Sequence, residues 1–315
     1  MNSAPHLLLL HQSLPPIQNP KLTLAAHNST PGARQSTPTY ITACAKTTRK
    51  TGGGRRKNPD DYHATLTALN SKGRVPRKSL GQHYMLDSEV NDRLVAAAEV
   101  GEGDVVLEIG PGTGSLTNVL INAGATVLPI EKDPYMATLV SERFAQTGQM
   151  KVVANIPFNI STDVVKQLLP MGDIFSEVVL LLQEETAFRL VESYLRTSEY
   201  RPINIFVNFY SDPEFKFKVP RANFFPQPNV DAAVVKFRLK QPTQYPSVSS
   251  TKSFFFMVNS AFNGKRKMLR KSLQHICTPS DIESALENVG RPATSRPEEL
   301  TTEDFVKLHN MIVTE

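Results

Sequence analysis

The 315-residue chain is poor in cysteine, with only Cys44 and Cys277. Two thiols exclude a disulfide framework and a cysteine zinc site, and they suit a reducing compartment. Long apolar runs are also missing. None approaches the roughly 18 residues that suggest a membrane span, so no membrane is expected. No internal repeat is visible. Acid is absent from the beginning of the chain: the first acidic residue is Asp60, and eight Lys or Arg precede it. From Asp60 onward 27 basic residues face 30 acidic ones, so the formal charge of +5 belongs to the amino-terminal part. Any nucleic-acid footprint must then be that arm or a local patch.

Residues 1–44 hold nine Ser or Thr and six Pro, with Lys21 and Arg34 as the charged residues. Such a segment buries too little to fold alone. Leu7–Leu10 is too short for a secretory core and lacks a basic flank. The Ser/Thr-rich, acid-free composition is that of an organelle transit peptide. "ITACA" (Ile41–Ala45) resembles a plastid processing site, and the sparse Arg favours plastid over mitochondrion. Residues 45–75 begin with a glycine-rich stretch holding six Lys or Arg between Lys46 and Lys57. This is either a solvated linker or an arm that lies on phosphates.

The stretch "GDVVLEIGPGTGSLTNVLINAGATVLPIEKD" starts at Gly103. Val105-Val106-Leu107 reads as a buried strand, Gly110–Gly114 as a tight turn, Ser115–Ala123 as a helix and Ala125–Ile130 as a second strand ending at Glu131. Glycines let a ligand approach the backbone, and an acid one strand later can accept hydrogen bonds from ribose hydroxyls. The spacing is G-x-G-x-G, over Gly110, Gly112 and Gly114, rather than the dinucleotide pattern. Glu108 before the turn would repel a pyrophosphate and suits a cationic amino-acid end. Together these features point to S-adenosylmethionine.

A second motif is "NIPF", Asn155 to Phe158, at the end of the apolar run Val152–Ala154. Adenine N6 is a poor nucleophile because its lone pair is delocalised into the ring. Two acceptors aimed at its N–H groups would favour the pyramidal form: the Asn155 amide oxygen and the Ile156 carbonyl. Pro157 stiffens the turn, and Phe158 offers an exposed ring on which an extracted base can stack. In-line methyl transfer then rests on positioning and electrostatics, without a metal.

From about Pro76 onward the chain resembles the small-subunit ribosomal RNA adenine N6-dimethyltransferases, in a plastid-targeted form. The resemblance rests on Arg77–Asp87, Leu107–Thr117, Ile130–Asp133, Asn155–Thr162, Leu180–Leu190, Phe224–Val234 and Ala261–Leu273, in order along the chain. It implies an α/β, class I S-adenosylmethionine-dependent methyltransferase with a Rossmann-like doubly wound sheet over 76–240. A small helical RNA-contacting domain over 241–315 would follow. It also implies that His83, Met85 and Gly110 border the methyl donor, that Glu131 binds its ribose, and that Asn155 lies between donor and adenine. The implied substrate is two adjacent adenines near the 3′ end of small-subunit rRNA in an immature ribosomal subunit, acted on by a monomer in the chloroplast stroma.

One feature departs from that family. Only 22 positions separate Asp133 from Asn155. Pro134–Gly148 reads as a helix, since Pro134 suits a first turn. The family places a further strand, an acidic loop and a helix in this interval, and the loop's Asp receives the donor's adenine amine. An edge strand, its helix and one donor ligand are therefore expected to be missing near residues 149–151.

After the Pro/Ser stretch that follows Lys240, the periodicity of Ala261–Leu273 predicts one helix. Its apolar arc holds Ala261, Phe262, Met268, Leu269 and Leu273. Its outer arc holds Arg266, Lys267, Arg270 and Lys271, four cations without an acid among them, which suits phosphate contact. Two other functions compete at this level, the second of them disfavoured by the transit-like segment and the "AFNGKRKML" context. One is a ribosome assembly factor whose catalysis was lost with the missing segment. The other is a resistance methyltransferase acting on large-subunit RNA.

Overall fold

The computed structural model of the chain describes residues 83–130, 150–192, 195–197, 199–264 and 267–313. The expected transit peptide and basic arm, Glu131, the helix read over Pro134–Gly148, and Arg266 lie outside the described residues.

The described strands are β1 (Tyr84–Met85), β2 (Val105–Ile109), β3 (Thr126–Ile130), β4 (Met150–Asn155), β5 (Phe175–Gln183), β6 (Ser211–Val219), β7 (Phe224–Phe225) and β8 (Ala232–Leu239). Six of them form one sheet in the order β3-β2-β4-β5-β8-β6, and β1 pairs with β7 alone. β3, β2, β4 and β5 run parallel, while β8 is antiparallel to β5 and β6. Sequences such as "FSEVVLLLQ" and "AAVVKFRL" read as near-continuous apolar runs because both faces of the sheet are covered.

Alternation along the strands sorts the side chains into two cores. Val106, Val153, Val179, Leu181 and Val234 pack with Leu94 of α1 (Ser88–Ala97) and Leu120 of α2 (Ser115–Asn122). Leu107, Val152, Ala154, Leu180 and Val235 face the other way. They share a cluster with α3 (Ser161–Leu168), α4 (Glu184–Val191) and α5 (Pro202–Tyr210). The same cluster takes in Phe254 of α6 (Thr251–Ala261), Leu269 of α7 (Leu269–Ser272), Ile282 of α8 (Pro279–Asn288) and Phe305 of α9 (Thr302–Ile312). The stretch after Lys240 is tied to the body: Gln241 donates to the Gly172 carbonyl at 2.8 Å and the Tyr245 hydroxyl to that of Pro170 at 3.2 Å.

β3 is the edge strand among the described residues. The Thr126 N–H donates to Asp104 and the Ile130 carbonyl accepts from Gly110, so alternate residues of β3 bond to β2. Pro129 falls between them and turns its missing N–H to the open edge, where proline is tolerated.

The helix expected over Ala261–Leu273 is not continuous. α6 ends at Ala261, and α7 begins at Leu269. Gly264 lies between them at φ +142°, a conformation that a helix cannot contain. Leu269 and Leu273 are nonetheless fully buried, so the apolar period survives across a break that the periodicity does not reveal.

Candidate active site

The glycine turn follows β2, and the "NIPF" motif follows β4. These strands are neighbours, with Ile109 opposite Ala154, so the two motifs leave the sheet side by side. A β-carbon on Gly110 would lie 3.9 Å from the Asn155 carbonyl oxygen. β2 leads to β3 on one side and β4 leads to β5 on the other. The motifs therefore sit where the winding of the sheet reverses, beyond the carboxyl ends of the strands. That crevice is where doubly wound sheets bind their ligands.

Gly110, Gly112 and Gly114 all have positive φ, at +73°, +54° and +84°. Gly112 also faces a close neighbour: a β-carbon there would come 3.3 Å from the Tyr84 ring. Tyr84 was not singled out by the sequence, which pointed to His83 and Met85 on either side of it. Strand alternation separates them. Met85 is buried in the core at 5% exposure, opposite Phe224. His83 lies against Phe158, with ring centroids 5.7 Å apart, and its Nδ1 is 2.7 Å from the Pro226 carbonyl oxygen. A carbonyl only accepts, so Nδ1 carries the proton.

Glu108 is 1% exposed and pairs across the ladder with Val153. Its Oε2 accepts a 2.6 Å hydrogen bond from Thr117, in the first turns of α2. Its Oε1 is buried without a partner among the described residues. Burial pushes the carboxyl up to about 7, and the Thr117 hydrogen bond offsets this only in part. An orphaned buried carboxylate beside a glycine turn is costly unless a cation or a donor completes it. It suits the ammonium group of an amino-acid ligand, and the donor set fits S-adenosylmethionine.

Asn155 ends β4 half-buried, and Ile156 is 2% exposed. Pro157 (φ −56°, ψ 133°) opens a short 3-10 turn, Phe158–Ile160, closed by the Ser161 hydroxyl on the Phe158 carbonyl at 2.9 Å. Phe158 is half-buried rather than the exposed ring expected, because His83 and Phe224 flank it. The basic face is altered too. Arg270 is ion-paired to Glu283 of α8, an acid beyond the periodic stretch Ala261–Leu273. Lys267 and Lys271 are exposed.

The fold and this crevice define a class I methyltransferase. Two solved structures share the fold: a dimethyladenosine transferase from Plasmodium falciparum and the 23S rRNA methyltransferase ErmE. The first has a TM-score of 0.55 at 24% identity and covers 71% of this chain and 95% of that one. The second has a TM-score of 0.54 at 23% identity and covers 73% and 99%. The family model for ribosomal RNA adenine dimethylase matches residues 74–153 and 141–313. A chloroplastic ribosomal RNA small subunit methyltransferase of Arabidopsis thaliana is 66% identical over 293 positions, covering 82% of this chain and 85% of the relative. Ribosomal RNA small subunit methyltransferase A of Protochlamydia amoebophila is 35% identical, covering 77% and 93%. The chain belongs to the ribosomal RNA adenine dimethylase family.

Proposed function

We propose that this chain dimethylates N6 of two adjacent adenines near the 3′ end of small-subunit rRNA, acting as a monomer on the immature subunit in the plastid stroma. The register that sets Asn155 beside Gly110 carries this reading, because it brings the donor turn and the acceptor motif to one crevice. The names of the chloroplastic and bacterial relatives support the substrate and the compartment, as does the composition of residues 1–44.

When bound, S-adenosylmethionine supplies a methyl group on a cationic sulfonium. In this reading Glu108 receives the ammonium of the donor's amino-acid end, the glycines admit it to the backbone, and Glu131 holds its ribose. The Asn155 amide oxygen and the Ile156 carbonyl accept from the adenine amino group and aim its lone pair. Phe158, set by Pro157, presents the stacking face. No step needs a metal. The test is incubation with isotopically labelled donor and small-subunit RNA, followed by nucleoside mass spectrometry. Labelled dimethyladenosine is expected, and label on another base or in large-subunit RNA alone would overturn the assignment. A fluorescent fusion of residues 1–44 decides between plastid and mitochondrion.

The reading includes a missing internal segment. The family model matches in two pieces that meet at residues 141–153. The alignment to the Arabidopsis relative runs over 293 positions yet takes only 82% of the 315-residue chain, so about 35 positions of that relative have no counterpart here. β3 is the sheet edge among the described residues. These observations favour the loss of an edge strand and an acidic loop between Asp133 and Met150. A charge-assisted acceptor is worth about 1.5–3 kcal/mol. Donor affinity should therefore rise about ten- to a hundred-fold when the segment is restored. Equal affinity of the two forms in a calorimetric titration would show that the donor site is whole as it stands.

A further inference from the structure

Between Ala232 and Ser280 the chain has no acidic residue but nine Lys or Arg. Lys236, Arg238, Lys240 and Arg270 are ion-paired to acids from other segments. Lys252, Lys267 and Lys271 are exposed and form no ion pair among the described residues. One turn after Lys252 stands a large aromatic ring. Phe256 of α6 is 59% exposed, the highest value for a large apolar side chain among the described residues.

Local geometry makes this ring part of a surface. Lys252 is four residues before Phe256, and Ser260 four residues after it, so all three share one helix face. His275, just beyond α7, packs onto that face. Its ring lies 5.9 Å from that of Phe256 at 83°, and its Nε2 is 3.1 Å from the Ser260 hydroxyl. The edge-on contact steadies Phe256 while leaving most of it in solvent. It also ties the turn after α7 to α6, and Lys271 lies in α7 on the chain just before that turn. Burying Phe256 in the core would remove more apolar area from water, and Phe254 and Met257 of the same turn do face the core. The helix instead points a ring outward beside cations of a single sign.

We propose that Phe256 is a base-stacking platform for an unpaired nucleotide of rRNA, flanked by His275 and with Lys252 and Lys271 on the adjoining phosphates. The chemistry that recognises the partner is a polyanion carrying flat aromatic faces. Cations alone would suit any polyanion, whereas a ring held edge-on among cations suits single-stranded nucleic acid. The surface lies on the carboxyl-terminal helices, apart from the methyl-transfer crevice, and this inference deepens the rRNA reading by naming where a second stretch of RNA is held.

The test measures binding of the full chain to a single-stranded RNA of about twelve nucleotides, within the site sizes of such surfaces. An abasic oligonucleotide of the same length is the control. Phe256→Leu keeps the exposed position apolar and removes the ring face. It should weaken binding about ten-fold with the salt dependence unchanged, and its preference for the intact over the abasic oligonucleotide should shrink by the same factor. Replacing Lys252 and Lys271 together by Ala should lower the log–log salt slope by about 1.4, two single-strand contacts. Equal binding by Phe256→Leu and the unmodified chain would overturn the platform while leaving the crevice reading intact. A Phe256→Leu defect on the immature subunit but not on naked RNA would assign the face to a ribosomal protein and overturn it as well. No binding of either oligonucleotide by the unmodified chain would overturn the platform, while the labelled-donor assay decides the rRNA reading by itself.

Discussion

At the amino-terminal end of the parallel strands, acids and bases are matched. Lys236 is fully buried in β8, yet its ammonium reaches Glu177 at 2.7 Å and Glu99 at 2.8 Å. Lys151 bonds Asp104 at 2.9 Å and the Glu99 carbonyl at 2.7 Å. At the carboxyl end, Glu108 is as deeply buried as Lys236 and no cation meets it among the described residues. The same sheet therefore gives its acids a counter-ion at one end, although Glu177 Oε2 there also accepts no hydrogen bond, and leaves Glu108 without one at the other among the described residues. A carboxylate left in that state marks the end that takes a ligand.

The carboxylates at the two ends also respond to pH with opposite sign. Burial would pull Lys236 down, but hydrogen bonds to Glu177 and Glu99 outweigh it and hold the ammonium above its ordinary value. The Lys236 hydrogen bond holds Glu99 below the usual carboxylate range. Burial raises Asp104, but the Gly101 N–H and Lys151 outweigh it and also leave it low. These low carboxylates contribute stability above their ordinary values and lose it as pH falls. Glu108 does the reverse. Its folded value of about 7 exceeds the ordinary 4.5, so its contribution is complete below about 4.5 and disappears as pH rises toward 7.

The comparison breaks first at the matched end. Lys236→Ala leaves the half-buried Glu177 without its cation and should cost up to about 3 kcal/mol in urea unfolding. A cost below about 1 kcal/mol would mean that water reaches the site and that the ions there hold nothing together. At the other end, Asn155→Ala should lower turnover about a hundred- to a thousand-fold, by analogy with losing one preorganised transition-state partner. RNA affinity and unfolding should be unchanged, and a variant with normal turnover would remove Asn155 from the chemistry. Glu108→Gln sharpens the contrast. It should weaken the donor about ten- to a hundred-fold, the worth of one charge-assisted bond. It should also abolish the fall in stability between about pH 4.5 and 7. Retention of that fall would show that another group titrates there. The smallest effect is expected for Asp104→Asn, a half-exposed pair worth about 0.2–1 kcal/mol in thermal unfolding.

Much of the crevice was legible because its parts are local. The strand, the G-x-G-x-G turn and the helix after it lie within twenty residues, and each is specified by neighbours in sequence. "NIPF" is equally compact: Pro157 fixes the turn that sets Phe158. The start of α9 could be read from Thr301 and Asp304, which cap each other's N–H groups across three residues. Tyr84 was missed because nothing local distinguishes it from His83. Only pairing with β7, 140 residues away, turns one ring toward Gly112 and the other toward Phe158. The helix read through Gly264 failed for a related reason. A period of 3.6 describes which residues face a core, and a turn that keeps Leu269 and Leu273 buried satisfies the core just as well.

By itself, the sequence determined which residues could do methyl-transfer chemistry: an acid before a glycine turn, and an amide before a proline and a ring. These signals act over a few residues, where backbone geometry and side-chain type suffice. The tertiary structure decided which charges are satisfied. Lys236 sits in an apolar run and is tolerable only because α1 and β5 bring Glu99 and Glu177 to it. Arg270 carries a counter-ion that the local spacing does not show, because α8 brings Glu283. Glu108 is left with an open oxygen because no such element approaches it among the described residues. Desolvation and pairing depend on what arrives from a distance, and one-dimensional spacing does not record that.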